Sequence, residues 1–175
     1  IDEDTNDSKV LVYRFEAYIY PNADFDSDNL TNYEERGYGT NPFSPDTDND
    51  GLSDYYEVSI DIFDPLDPDI DDDGMPDGWE VKYELNPKRN DANEDPDGDW
   101  LKNIDEYHHS TDPHNSDTDG DGFSDFIEVL FNTNPCDRED SPLLIIVILI
   151  LVPVLIIIVI IIRRHGKRIK KTNNL

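Results

Sequence analysis

Cysteine is nearly absent. The 175 residues hold one, Cys136, so no disulfide within the chain can organise it. Positive charge is scarce too, with 14 Lys and Arg against 41 Asp and Glu and a net charge of −27. All the acidic residues precede Ser141, where eight basic residues accompany them, so that stretch carries −33. Such a surface repels phosphate, which excludes nucleic acid as its partner. Apolar residues are also thin there, at roughly 30%, below the usual share for a globular domain. A chain of this composition stays disordered unless something other than an apolar core organises it.

One part of the chain reverses this. Leu143 to Ile162 is 20 residues of Leu, Ile and Val interrupted by Pro153. As a helix it spans about 30 Å, the hydrocarbon thickness of a bilayer. A buried core helix would need a comparable apolar surface to cover it, and the rest of the chain has none. A single transmembrane helix is therefore expected, and lipid-embedded helices tolerate a proline. Six basic residues follow (Arg163, Arg164, Lys167, Arg168, Lys170, Lys171). The positive-inside rule then places residues 165–175 in the cytoplasm and the acidic stretch outside the cell membrane. At the other end, Val10 to Tyr20 alternates apolar and polar residues and predicts a β-strand. It has no partner strand in the sequence, so residues 1–21 are expected to close an upstream domain.

Between these ends, over residues 22–137, one 12-residue spacing recurs five times. The first copy is Asp24, Asp26, Asp28, Leu30, Asn32 and Glu35, at loop positions 1, 3, 5, 7, 9 and 12. The second is Asp46, Asp48, Asp50, Leu52, Asp54 and Glu57, and the third Asp69, Asp71, Asp73, Met75, Asp77 and Glu80. The fourth is Asp95, Asp97, Asp99, Leu101, Asn103 and Glu106; the fifth is Asp117, Asp119, Asp121, Phe123, Asp125 and Glu128. Successive copies start 22, 23, 26 and 22 residues apart, which defines a tandem array.

The spacing suits a hard cation. Oxygens at positions 1, 3 and 5, a backbone carbonyl at 7, an oxygen at 9 and a two-oxygen Glu at 12 supply about seven ligands. Two carboxylates about 5 Å apart repel by roughly 3 kcal/mol at an effective dielectric near 20, and a divalent ion reverses that sign. Ligand number and the bidentate Glu favour Ca2+ over magnesium. Zinc is disfavoured because no loop carries Cys or His. Up to five Ca2+ ions are expected. Position 6 turns sharply and favours Gly; Asn29 is a fair substitute, whereas Trp100 makes the fourth loop the least regular. Paired EF-hands are not expected, since Pro42 to Pro45 and Pro65 to Pro68 put prolines where a helix would have to lead into the loop. Short helical pieces are expected after each Glu, ending at Asx-Pro steps such as Asn41-Pro42 and Asn86-Pro87.

The stretches Pro45 to Val58 and Asp71 to Tyr83 resemble bacterial and archaeal thrombospondin type 3 repeats. The resemblance covers Asp24 to about Pro135 and implies calcium-binding repeats with little regular structure, found in secreted and surface proteins. The animal members carry paired cysteines, and here Cys136 stands alone. The expected fold is a mostly irregular, calcium-stapled repeat rod with short helices, followed by a membrane segment over residues 138–164. The expected function is a calcium-rigidified stalk on the cell surface, or else a calcium-dependent adhesion or protein-recognition module, with self-association as a further possibility. No catalytic grouping of Ser, His and Asp or of Cys and His stands out, and 23 of the 41 acidic residues lie at loop ligand positions, so an enzyme is not expected.

Overall fold

Each repeat carries an apolar residue at position 7 and a helix-compatible run from position 9 onward, and these two features set the local structure. A computed structural model describes residues 19–60 and 63–172. Five short helices follow the five loops: α1 (Asn32–Tyr38), α2 (Asp54–Ile60), α3 (Asp77–Lys82), α4 (Asn103–His109) and α5 (Asp125–Phe131). Each begins at position 9 rather than after the Glu at position 12. Acidic groups in a first helical turn face the positive end of the helix dipole, which favours this start. Thr31 caps α1 in a capping box with Glu34, and Ser124 caps α5 through the Ile127 amide. Gly39 at φ 91° and Asn132 at φ 58° end those two helices in left-handed backbone. Helices of six or seven residues are marginal alone, so their neighbours must hold them.

Between the helices the backbone runs in turns and bends, and among the described residues no helix runs directly into the second to fifth loops. No strand occurs among the described residues. The expected strand from Val10 to Tyr20 lies outside them except for Ile19 and Tyr20, and neither of these is extended into a strand.

The chain divides into two compact units. The first runs to Glu94 and takes in Lys102–Tyr107; the second comprises Asp95–Leu101 and His108 onward. In the first, the position-7 side chains Leu30, Leu52 and Met75 are buried, together with Ala92. Trp79 stands 4.9 Å from the Tyr83 ring and 5.4 Å from that of Tyr107. In the second, Leu101 is buried and Phe126 packs edge-on against Trp100 at 5.8 Å. Among the described residues five hydrophobic side chains other than proline are buried, against fifteen polar or charged ones. Apolar burial therefore cannot be what chiefly holds these units together.

The second unit ends in α6 (Leu143–Thr172), a 30-residue helix that is continuous through Pro153 and extends past the apolar run into the basic tail. Its window Ile145–Arg163 has a mean hydropathy of 4.0 and is not buried at all. It is long and apolar enough to cross a membrane.

Candidate metal centres

The loops are wound by their own carboxylates. In the second repeat, Asp46 Oδ1 accepts the Asn49 amide at 2.7 Å and Oδ2 that of Gly51 at 3.1 Å. Asp48 Oδ1 accepts the Asp50 amide, and Asp50 Oδ1 the Leu52 amide at 2.6 Å. The same bonds recur from Asp24, Asp26 and Asp28, from Asp95, Asp97 and Asp99, and from Asp117, Asp119 and Asp121; the third repeat differs only in that Asp69 Oδ1 takes the Asp73 amide. Position 6 is left-handed throughout, at φ 89° for Asn29, 104° for Gly51, 97° for Gly74 and 100° for Gly122. Trp100 adopts the same conformation at φ 86°, at a cost of roughly 1–2 kcal/mol. The departure that made the fourth loop look least regular is absorbed as backbone strain, and the triad Asp95, Asp97 and Asp99 keeps the common bonding.

This winding leaves one set of oxygens over. Glu35, Glu57, Glu80 and Glu128, all at position 12, are 0% exposed, and neither carboxylate oxygen of any of them has a hydrogen-bond partner. At position 3, the Oδ2 atoms of Asp26, Asp48, Asp71, Asp97 and Asp119 are equally buried and unpaired. A buried carboxylate without a partner costs several kcal/mol. One such atom could be an accident of packing; the same atoms repeating in register mark the lining of a site for a positive ion. Burial first, and then the neighbouring aspartates, push Glu35 and Glu57 up to about 8, Glu80 to about 9 and Glu128 to about 7. Burial likewise lifts Asp26, Asp48, Asp71 and Asp97 to about 6.

The donor set fits calcium. It is all oxygen, it offers a two-oxygen carboxylate, and it contains no nitrogen or sulfur. Asp24, Asp26 and Asp28 bring ligand atoms within 4.8 Å of one another, as do Asp46, Asp48 and Asp50, Asp69, Asp71 and Asp73, and Asp95, Asp97 and Asp99. The fourth repeat is divided between the units. Asp95 to Leu101 lies in the second, while Asn103 and Glu106, both buried, lie in the first. Phe123, the fifth residue at position 7, is half-buried.

Position 9 has a role beyond that of an oxygen donor. Asp54 Oδ1 accepts the Thr47 amide at 2.8 Å and Oδ2 the Thr47 hydroxyl at 2.7 Å. Asp125 grips Thr118 in the same way, and Asp77 takes the Ile70 amide. Each of these aspartates braces position 2 of its own loop. Asn32 and Asn103 donate through Nδ2 to Tyr20 O and Asp91 O, which leaves their Oδ1 atoms buried without a partner.

Successive repeats are joined at position 5, which sequence spacing did not foretell. Asp28 Oδ2 accepts the Tyr55 amide at 3.0 Å, Asp50 Oδ2 the Gly78 amide at 3.2 Å and Asp99 Oδ2 the Phe126 amide at 2.9 Å. Each donor is the residue after a position-9 Asp in the following repeat. Close approach is obligatory at Gly78, where an added Cβ would meet Asp50 O at 2.5 Å and Gly51 C at 2.9 Å. Gly78→Ala is expected to destabilise the calcium-loaded chain by about 1–3 kcal/mol. Thermal melts in saturating calcium measure this, and an unchanged midpoint would contradict the packing described.

The geometry thus defines a tandem array of acidic, oxygen-lined cation loops. Residues 26–45 and 46–60 match the family described as bacterial TSP3 repeat. Residues 68–144 match the family described as clostridial binary toxin B/anthrax toxin PA Ca-binding domain. No curated protein and no solved structure matches the chain. These two matches support a TSP3-type calcium-binding repeat protein.

Proposed function

We propose that the repeats form a calcium-rigidified spacer, anchored through α6, that holds whatever lies upstream away from a cell membrane. The observation that carries this reading is the register of unpaired, buried Glu side chains at position 12. It makes order in the repeats conditional on calcium, and a spacer with calcium-dependent stiffness needs nothing else from its sequence. The exposed apolar run of α6 supports the anchor, and the basic residues beyond it favour a cytoplasmic C-terminus. Extracellular sites of this kind bind calcium at about 10⁻⁴ to 10⁻³ M, which suits the outside of a cell and not its interior. Catalysis has no part in this reading.

The test is a distance measurement in the membrane-reconstituted chain. Cys136→Ser removes the native thiol, and spin labels at Tyr33 and Lys88, both exposed, report the spread of distances within the first unit. Calcium should narrow a broad distribution to one peak. A distribution that stays broad with calcium present would remove the spacer.

Trp100 favours a second reading. It is 76% exposed and held in a backbone conformation that disfavours it, as expected for an anchor residue of a recognition surface. Calcium-dependent capture of a surface protein that is lost on Trp100→Gly would support an adhesion module instead of a plain spacer.

A further inference from the structure

The junction between the third and fourth repeats departs from the rule at position 5. Elsewhere the amide that reaches Asp28, Asp50 or Asp99 follows a position-9 Asp, so a carboxylate of the next repeat accompanies it. The fourth repeat has Asn103 at position 9, and its spacing from the third is 26 residues instead of 22 or 23. The amides that reach Asp73 Oδ2 come from a residue of the connecting segment and its neighbour, Asp91 at 3.1 Å and Ala92 at 3.0 Å.

Asp91 is 1% exposed. Its Oδ2 accepts from Arg89 Nη2 at 3.0 Å, and Arg89 is held in turn by Glu94. Its Oδ1 is buried and has no partner. Asp91 brings a carboxylate oxygen within 4.8 Å of ligand atoms of Asp73 and Glu80, whose own two oxygens are unpaired. Three acidic side chains turned together, one by a guanidinium on its far oxygen, would repel one another without a cation among them.

We propose that Asp91 is a calcium ligand from outside the twelve-residue loop, joining Asp73 and Glu80 at the third repeat, and that Arg89 positions it. The inference rests on the calcium reading above.

Terbium, a hard cation that takes oxygen ligands, serves as the probe, and the full chain in detergent as the sample. The chain has two tryptophans. In a Trp100→Phe background, Trp79, which directly precedes Glu80, sensitises terbium emission at the third repeat. Asp91→Asn keeps the shape and removes the charge, and should weaken this signal's apparent affinity about tenfold, since affinity follows ligand charge count. Asp72→Asn removes an equal charge from an exposed position of the same loop, at φ 57° where Asn is at ease, and should change the affinity less than about threefold. Equal effects of the two variants would reduce Asp91 to background charge and overturn the proposal. In a Trp79→Phe background, Trp100 reports on the second unit, and Asp91→Asn should leave it unchanged. Loss of both signals would make Asp91 a folding residue and would also overturn the proposal. A wild-type chain that takes up neither terbium nor calcium is a different outcome, which defeats the calcium reading itself.

Discussion

Stripping calcium from the chain should unfold the repeats. At a calcium level about a hundred times the dissociation constant, each site adds about 2.7 kcal/mol to the folded state. Several such terms equal the whole stability of an ordinary domain, about 5–15 kcal/mol. Little else is available to replace them, because the buried side chains among the described residues are mostly polar: five hydrophobic, proline aside, against fifteen polar or charged. Without the ion, the unpaired carboxylates of Glu35, Glu57, Glu80 and Glu128 must be protonated, hydrated or exposed, and each of these routes opens the loop. Chelation is therefore expected to abolish the near-ultraviolet circular dichroism of Trp79 and Trp100 and to open the loops to protease. It should lower the melting temperature of the repeats by tens of degrees, at 4–8 °C for each kcal/mol lost. The apolar helix α6 should be indifferent, so its far-ultraviolet signal persists. A chelated chain that melts at the calcium-loaded temperature would mean that the loops are held by something other than the ion.

Acid should have opposite effects on the two states. In the calcium-free chain, the position-12 glutamates have folded-state values raised from 4.5 to about 8 or 9 for Glu35, Glu57 and Glu80, chiefly by burial. The folded state therefore holds protons that the unfolded state has released over this range. Stability is fully present below about 4.5 and is lost as pH rises towards 9, so the calcium-free chain is most stable in acid. With calcium present, ion and proton compete for the same oxygens. Affinity then rises with pH, first as Asp26, Asp48, Asp71 and Asp97 release protons near 6, then as the glutamates do. Melting temperatures measured from pH 4 upward should fall with pH in the decalcified chain and rise with pH at saturating calcium. Parallel curves for the two states would separate these carboxylates from ion binding.

The array itself was legible because ligand chemistry imposes spacing directly on sequence: Asp46, Asp48, Asp50 and Glu57 can be read without knowing a single contact. The absence of helices leading into the second and third loops was legible for the same reason, since proline at Pro42, Pro45, Pro65 and Pro68 rules on backbone conformation locally. The helices start earlier than expected, at position 9 and not after the Glu, because Asp54, Asp77 and Asp125 suit the first turn of a helix while they brace Thr47, Ile70 and Thr118. The joints between repeats were not legible, because an amide donor carries no side-chain signature. Asp91 escaped because it falls outside the periodic frame; the signal was there in the longer 26-residue spacing together with Asn103. Trp100 was correctly singled out as anomalous, but the sequence alone could not say that its backbone would follow the other loops.

The bond from each position-5 aspartate to an amide one repeat further along has a consequence for how the protein is made. Asp28 finds its acceptor role only once Tyr55 is in place, and Asp50 only once Gly78 is. During synthesis from the N-terminus, each of these repeats therefore stays unfinished until its successor has emerged. Maturation is directional, each step ratifying the one before.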